Sequence, residues 1–282
     1  MFTRFTPTIN LLGTSILVAF SGSLRLHIAF LFAGITPRIP VYCAAGFIIY
    51  ATYTIDRAVG SREDIVNKGE LAGSNRRVGF ACAFLMFIIG AVTLAQEGII
   101  FAPFIPLVIG AFYSRGIRFN GSLYSLKGGA GMKNLVIGLT WGGTMAIIVG
   151  YSAGILPGIA IFMFFGGKLF CNSVIYDMKD IRGDTAAGII TIPARYGITN
   201  AKLMLLIPTI GLHGTMAILI LSGNLCPEWA VLSYSLLSIL IVLACYNPKC
   251  ELSGCRASKF IRGFFVDGES ATALIIRSLL NL

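Results

Sequence analysis

The chain has 282 residues, of which 56% are hydrophobic and only 12% are charged. Soluble domains carry roughly 25% charged residues, so this supply is too small to cover a water-exposed surface. A mean hydropathy of +0.83 points to lipid as the solvent for most of the chain. The net charge of +10 comes from Lys and Arg in short loops, not from long basic runs, which argues against nucleic-acid binding.

Apolar segments of nearly spanning length recur along the whole sequence. A helix that crosses the hydrocarbon core needs about 20 apolar residues. The first segment is too long for the apolar part of a signal peptide, so we expect it to be the first span. The sequence predicts an all-α, polytopic membrane protein with a single domain over residues 1–282. The predicted spans are 9–33, 39–56, 78–96, 99–114, 135–153, 155–176, 201–221, 227–246 and 260–280.

The charged residues alternate between loops. Most of the 22 Lys and Arg residues lie in the loops after the second, fourth, sixth and eighth predicted spans. Loops rich in Lys and Arg stay in the cytosol. This alternation predicts that the N-terminus lies in the cytosol and the C-terminus outside. Because the sequence shows no targeting peptide, we expect the protein to lie in the lipid of the plasma membrane. More than half of the 12 acidic residues lie in two of the cytosolic loops, after the second and sixth spans.

The loop after the sixth span carries Asp177, Asp180 and Asp184. If the helix continues out of the span, positions i, i+3 and i+7 share one face, so we expect the three carboxylates to converge. Such a cluster is unfavourable unless cations lie among the carboxylates. Mg²⁺ prefers carboxylate oxygens and leaves positions for phosphate oxygens. The alternative is a solvated loop whose acids pair with Lys179 and Arg182.

Residues 177–197 read DMKDIRGDTAAGIITIPARYG. This segment resembles the second aspartate-rich motif of the UbiA superfamily of intramembrane prenyltransferases, which reads D-x-x-D-x-x-G-D-x-x-x-G-x-x-T-L-P-V-x-x-G. Ile192 stands in place of Leu, and Ala194 in place of Val. Two further segments are similar to the family: Tyr113-Ser114, and Lys133-Asn134-Leu135-Val136 with Trp141. The resemblance implies a UbiA-like bundle of about nine helices, with both acidic loops on the cytosolic side.

The first motif of that family, N-D-x-x-D-x-x-x-D, is matched poorly by residues 52–64, TYTIDRAVGSRED. One alignment places Asp56 at the middle aspartate and Tyr53 at the first. The other places Asp56 at the first aspartate and Glu63 at the third. In either alignment, a site in this loop is built from Asp56 with Glu63 or Asp64.

The resemblance implies Mg²⁺-dependent transfer of a prenyl group from a prenyl diphosphate to a lipophilic aromatic or hydroxyl acceptor within the membrane. The implied catalytic residues are Asp180, Asp184 and Asp56. The implied metal ligands are Asp56, Glu63, Asp64, Asp177, Asp180 and Asp184. The substrate-binding candidates are Lys133, Arg62, Arg115, Tyr113, Asn172 and Tyr176.

Two other functions stay open. The eroded first motif is compatible with a UbiA-like protein that binds an isoprenoid or a partner without turnover. A transporter would use the acidic clusters for cations, although transport sites lie near the bilayer midplane and these acids lie at one interface.

Several polar residues fall inside or beside predicted spans. Arg25 is either a functional intramembrane charge or a side chain that snorkels to the outer interface. We expect His213 to be a hydrogen-bonded histidine of the bundle, and Asp267 and Glu269 either to face a cavity or to cap the last helix. The cysteines of residues 245–255 are expected to be reduced thiols in preference to zinc ligands.

Overall fold

The computed structural model describes residues 5–60, 73–115, 117–119, 122–124 and 130–280, and nearly all of these residues are helical. The predicted all-α class is confirmed. A short antiparallel hairpin pairs β1 (Ile117–Phe119) with β2 (Ser122–Tyr124). The helices in chain order are α1 (Phe5–Ala33), α2 (Ile39–Val59), α3 (Arg76–Gln96), α4 (Phe104–Arg115), α5 (Met132–Ala153), α6 (Ile155–Ala186), α7 (Ile192–Tyr196), α8 (Ile198–Leu221), α9 (Trp229–Cys245), α10 (Pro248–Leu252), α11 (Arg256–Arg262), a π-helical turn (Gly263–Asp267) and α12 (Glu269–Leu280).

Six helices among the described residues are long and apolar enough to cross a membrane, namely α1, α2, α3, α5, α6 and α8. Helix α9 is apolar but has 17 residues, and α4 and α12 have 12 each. The predicted spans 99–114 and 260–280 are too long, because residues 99–103 form a loop before α4 and the π-helical turn with Gly268 precedes α12. The predicted count of about nine spans is therefore not confirmed.

Consecutive long helices pack against each other in antiparallel pairs, α1 with α2, α2 with α3 and α5 with α6. Helices α2 and α6 end, and α3 and α5 begin, at the same end of the bundle. We call this the acidic end, because it carries Asp56 and Asp184. At the opposite end, Gly154 turns the chain from α5 into α6 with a φ of 92°, in the left-handed region that favours glycine.

The opposite end is closed by ion pairs and apolar packing. Arg38 pairs with Glu97, and Arg277 Nε lies 2.5 Å from a Glu228 carboxylate oxygen. The larger apolar core lies between α1, α2, α5 and α6 and contains fully buried Phe30, Phe32 and Phe164, among others. A second apolar cluster joins α6 to α8 and α9. This packing fixes the middle parts of α5 and α6, and thereby the residues that these helices carry at the acidic end.

Candidate functional site

Helix α6 does not stop at the end of the predicted span but continues to Ala186, and therefore carries all three aspartates. Asp177 and Asp184 are 2% and 0% exposed. Lys133, in the first turn of α5, places its Nζ 2.9 Å from an Asp177 carboxylate oxygen and 3.2 Å from one of Asp184. Two of the predicted carboxylates thus share one ammonium group across the α5–α6 pair.

Asn134 holds Asp177 from a second direction. Its Nδ2 donates to Asp177 Oδ2 at 2.7 Å and to Ser173 Oγ at 2.9 Å, and the residue is fully buried. The Oδ1 of the same amide is buried with no hydrogen-bond partner among the described residues. Because a buried polar atom ordinarily has a partner, this oxygen marks a position where a donor or a cation is missing.

Asp180 is separate from the other two aspartates. It pairs with Lys179, whose Nζ lies 2.7 Å from Oδ1. At 100° per residue, Asp184 is only about 20° around the helix from Asp177, whereas Asp180 is about 60° from Asp177 on the same side. In the described part of the chain, no three His, Cys, Asp or Glu side chains converge as a metal site. Of the three carboxylates expected to converge, only those of Asp177 and Asp184 share a partner. Asp180 pairs with Lys179, as the alternative interpretation expects.

The first acidic motif begins at the end of α2, where Asp56 is half-buried. One turn earlier, the ring of Tyr53 stacks on Trp141 of α5, with centroids 5.7 Å apart and planes 12° apart. The Arg57 guanidinium lies 5.7 Å from the Tyr53 ring centroid and donates to Ser15 Oγ at 2.8 Å. The stacked pair therefore joins the helix of the first motif to the helix that carries Lys133. Glu63 and Asp64, like Arg62, lie outside the described residues.

A cavity opens between α1, α2, α5 and α6. Tyr53, Trp141 and Thr144 lie on its wall, together with Arg25, whose guanidinium makes no hydrogen bond or ion pair within the described residues. Arg25 therefore lines the cavity, as its interpretation as a functional intramembrane charge expects. The rest of the wall is apolar and includes Val18, Ile48, Ile49, Leu94, Ile148 and Leu169.

The cavity reaches toward the acidic end along two helices. Trp141 is eight residues beyond Lys133 on α5, and Leu169 is eight residues before Asp177 on α6, which is about 12 Å in each case. The cavity wall and the carboxylates with Lys133 are therefore about two helical turns apart on α5 and α6.

The other predicted substrate-binding residues are scattered. Tyr113 and Arg115 lie in the last turn of α4, where the structure describes the backbone alone. Asn172 is buried on a different face of α6 from Asp177 and lines a second, smaller cavity. Tyr176 points away from Lys133 and donates its hydroxyl to Asp267. The structure thus brings Lys133 to the aspartates, but neither Asn172 nor Tyr176.

Tyr176 belongs to a network that fastens the segment after α9. Arg262 lies 5.0 Å from the Tyr176 ring centroid and 3.2 Å from Asp267, and its Nη2 donates to Glu251 at 2.8 Å. The hydroxyl of Tyr246 also donates to Glu251. Burial alone would raise the pKa of the Glu251 carboxyl, but the hydrogen bonds from Arg262 and Tyr246 outweigh burial and hold the pKa below its ordinary value.

The cysteines of this segment differ from expectation. The turn at Gly254 brings the Cα atoms of Cys250 and Cys255 to 5.2 Å, and a disulfide joins them. The prediction of reduced thiols is therefore wrong for this pair, because the turn produces a Cα separation that suits a disulfide. Cys245 is a free, exposed thiol.

Several residues of the site carry a sequence signal but were given no predicted role. Asn134 and Trp141 lie in the segment of α5 that resembles the family, and Tyr53 precedes Asp56 by one helical turn, which places it near that carboxylate. Lys168 is a charge inside an apolar span, a pattern that suggests function by default. The sequence identifies Arg25 as a candidate functional charge, but the direction of its side chain depends on how α1 is rotated in the bundle.

The donor set at the acidic end fits a divalent cation. Carboxylate oxygens are the ligands that Mg²⁺ prefers. The Lys133 ammonium lies between Asp177 and Asp184 and shows that positive charge is accommodated there. The partnerless Oδ1 of Asn134 adds a further hard oxygen beside them.

No family model matches the sequence, and no curated protein matches it. Solved structures do match over nearly the whole chain. A UbiA homolog from Aeropyrum pernix K1 superposes with a TM-score of 0.66 at 15% identity, covering 95% of this chain and 98% of its own. A UbiA homolog from Archaeoglobus fulgidus bound to GPP and Mg²⁺ has a TM-score of 0.61 at 14% identity, covering 96% and 100%. A digeranylgeranylglyceryl phosphate synthase structure has a TM-score of 0.57 at 15% identity, covering 97% and 99%.

The fold and the site together define a helical integral membrane protein with a carboxylate cluster at one end of the bundle and a largely apolar cavity within it. More specifically, the chain has the fold of the UbiA homologs, over about 95% of its length.

Proposed function

We propose that the protein transfers a prenyl group from a prenyl diphosphate to an aromatic or hydroxyl acceptor within the membrane, with Mg²⁺ as cofactor. The observation that carries this proposal is the Lys133–Asp177–Asp184 cluster, carried by the same two helices, α5 and α6, that contribute to the largely apolar cavity wall. Such a site suits a ligand with a charged head and an apolar tail. The likeness to a UbiA homolog that holds GPP and Mg²⁺ supports the same chemistry.

Asp177 and Asp184, with Asp180 and Asp56, are the residues we propose for binding Mg²⁺. When bound, Mg²⁺ supplies charge neutralisation for a diphosphate. Glu63 and Asp64 of the first motif stay predictions for the same role.

The residues of this chain contribute in three ways to the proposed reaction. Lys133 donates hydrogen bonds to the diphosphate head, as predicted also for Arg62 and Arg115, and thereby favours departure of the leaving group. The faces of Tyr53 and Trp141 lie on the cavity wall, where an aromatic ring stabilises a nearby allylic cation. The apolar walls exclude water that would otherwise react with that cation.

We also propose that the acidic end faces the cytosol at the plasma membrane and that the C-terminus lies outside. The basic loops of the sequence support this orientation. A C-terminal tag that is labelled by an impermeant reagent on intact cells would agree with it, and a tag protected until the cells are opened would contradict it.

A second candidate is a protein that binds an isoprenoid diphosphate without turnover. The specific observation in its favour is that Lys133 already pairs with both Asp177 and Asp184, while the first motif retains few of the family's aspartates. Both candidates predict binding, but only the first predicts product.

The deciding experiment uses purified protein in detergent with geranylgeranyl diphosphate and a panel of acceptors. The panel includes phenols, alcohols, and acceptors with a carboxylate or phosphate, since Arg25 offers a cation on the wall. We expect pyrophosphate release that requires Mg²⁺ and falls at least about 100-fold in Asp184→Asn, because a proposed ligand of the Mg²⁺ that neutralises the diphosphate is lost.

Glu228→Gln, at the opposite end of the bundle, is the matched control and should retain turnover. Diphosphate binding without product from any acceptor or tail length would favour the second candidate. Absence of both binding and turnover in folded protein would contradict both.

A further inference from the structure

The segment between α9 and α12 forms a small closed turn at the acidic end of the bundle. Helix α9 begins beside Glu228 at the opposite end and finishes at Cys245, so α10 and α11 lie at the acidic end, where α10 packs against α6. The disulfide between Cys250 and Cys255 closes the turn that joins α10 to α11. Both cysteines are partly exposed, and the residues 252–254 between them are exposed, so solvent reaches this turn.

Glu251 lies inside the turn that the disulfide closes. Its carboxylate accepts hydrogen bonds from Arg262 Nε at 3.1 Å, from Arg262 Nη2 at 2.8 Å and from the Tyr246 hydroxyl at 2.8 Å. An arginine that binds a carboxylate through two nitrogens is held in one orientation. Because Glu251 directly follows Cys250, the disulfide restricts the position of this carboxylate and therefore of its partner Arg262.

Arg262 connects Glu251 to the helix that carries the aspartates. Its guanidinium lies 5.0 Å from the Tyr176 ring centroid, and the Lys179 ammonium lies 5.9 Å from the same centroid. Lys179 in turn pairs with Asp180, with Nζ 2.7 Å from Oδ1. A continuous series of contacts thus runs from the disulfide to the part of α6 that carries the aspartate motif.

The base of the segment is fastened without the disulfide. The Asn247 backbone N–H donates to Ser258 Oγ at 3.0 Å, and that hydroxyl donates to the Asn247 carbonyl oxygen at 2.7 Å. The Asn247 side chain also caps α10 by accepting from the backbone N–H groups of Lys249 and Cys250. Breaking the S–S bond therefore loosens the turn with Glu251 and leaves its base in place.

The location of the disulfide makes its redox state variable. The acidic end is the one that we place in the cytosol, where thiol reductants keep most cysteines reduced and disulfides are usually transient or regulatory. Exposed disulfides are also the more readily reduced ones. The Cys255 backbone N–H donates to the Cys250 carbonyl oxygen at 2.9 Å, which keeps the two thiols close after reduction and lets the bond form again.

We propose that the Cys250–Cys255 pair is a reversible redox switch that, when oxidised, holds Glu251 on Arg262 and thereby orders the end of α6 with the aspartate motif. A dithiol reduces the pair: its thiolate attacks one cysteine sulfur, the S–S bond breaks, and the second thiol of the reductant resolves the mixed disulfide. Two electrons and two protons pass to the cysteines, which become thiols, while the dithiol becomes a disulfide. Exchange with a small disulfide such as oxidised glutathione reverses the reaction. The switch does not depend on prenyl transfer, and only an effect on turnover rests on the proposed function.

The test uses the full chain in phosphatidylcholine nanodiscs, treated with dithiothreitol or with oxidised glutathione. Differential alkylation and mass spectrometry report the state of each cysteine, and hydrogen exchange reports the order of each segment. We expect the pair to open and close reversibly, and reduction to speed exchange in residues 250–262 at least about tenfold, because the disulfide restricts the turn. Exchange in residues 174–180 of α6 should rise with it, to a smaller extent.

Variants trace the coupling. The double variant Cys250→Ser, Cys255→Ser should exchange like the reduced wild type and should not respond to dithiothreitol. Glu251→Gln should speed exchange in residues 174–180 with the disulfide intact, because Arg262 loses its ionised partner. Cys245→Ser is the matched control, since it removes a free, exposed thiol of the same segment, and it should respond to dithiothreitol as the wild type does.

Two results would overturn the proposal. One is a Cys250–Cys255 pair that dithiothreitol leaves oxidised in the folded protein. The other is a reduced pair with unchanged hydrogen exchange in residues 174–180. Neither readout requires turnover, so a failure of the switch and a failure of the proposed prenyl transfer are recognised separately.

Discussion

Lys133 illustrates how one residue decides the electrostatics of the acidic end. Asp177 and Asp184 are almost completely buried, about 20° apart on one face of α6, and would repel each other if both were ionised. The ammonium of Lys133 lies within 3.2 Å of both and offsets that repulsion. The Lys133 ammonium thus offsets carboxylate charge in the ligand-free protein, and we propose that Mg²⁺ takes over this role when it is bound.

We expect Lys133→Met to destabilise the protein by about 3–5 kcal/mol without Mg²⁺, because two buried carboxylates lose their cation. Mg²⁺ should then raise the unfolding temperature of the variant more than that of the wild type, since binding to the folded state alone stabilises it. Thermal unfolding in detergent, with and without Mg²⁺, measures both effects.

The double variant Lys133→Met, Asp184→Asn serves as the control, and its response to Mg²⁺ should be smaller than that of the single variant. A single variant that Mg²⁺ stabilises no more than the wild type would show that the carboxylates do not form the cation site.

At the scale of the element, small residues set how closely α5 and α6 approach. A Cβ at Gly142 would lie 2.6 Å from the Gly166 Cα, and one at Gly138 would lie 2.5 Å from the Gly166 carbonyl oxygen. The obstacle is backbone in both cases, so it cannot move aside as a flexible side chain would. Close approach of the two backbones is what lets Lys133 reach both aspartates.

We therefore expect Gly142→Ala to destabilise the protein by about 1–3 kcal/mol, the usual cost of overpacking, because it pushes α5 away from α6. Turnover, or diphosphate binding if there is no turnover, should fall with it. The neighbouring Gly143→Ala is the matched control, since its nearest heavy atom outside the helix is a Phe162 ring carbon at 4.0 Å. Equal unfolding temperatures for the two variants would contradict this account.

At the scale of the whole molecule, α6 divides the bundle into two compartments. The large cavity lies on the side of α1, α2 and α5, and the smaller cavity, lined by Lys168, Asn172 and His213 among others, lies on the side of α8, α9 and α12. The large cavity extends from the Tyr53–Trp141 pair toward the opposite end, so its depth sets the tail length that the proposed transferase accepts.

We expect Met145→Trp to shift the preference from geranylgeranyl toward farnesyl diphosphate by at least about tenfold, because Met145 lines the large cavity and a larger side chain shortens it. Competition between the two diphosphates for product formation or for binding measures the shift. Leu139→Trp, on the same helix but 46% exposed, should leave the preference unchanged. An unchanged preference in Met145→Trp would place the tail elsewhere.

Much of this molecule follows from local pattern. Apolar segments mark the long helices because each must satisfy its own backbone hydrogen bonds in lipid. The boundaries of α2, α3 and α6 agree with the predicted spans to within a few residues at the ends outside the aspartate motif. Helical spacing places Asp177 and Asp184 on one face. The disulfide between Cys250 and Cys255 and the short helices α4 and α12 were not foreseen, because turns and breaks depend on local backbone geometry that composition does not record.

The sequence alone therefore established the helical membrane class, the antiparallel order of the long helices and the resemblance of residues 177–197 to an aspartate-rich prenyltransferase motif, because periodicity and composition act locally. Only the tertiary structure decided which charges meet. Lys133 with two aspartates, Lys168 with Glu269, and Arg25 on the large cavity all depend on how each helix is rotated against its neighbours. That rotation is set by packing between residues far apart in the chain, such as Gly142 against Gly166.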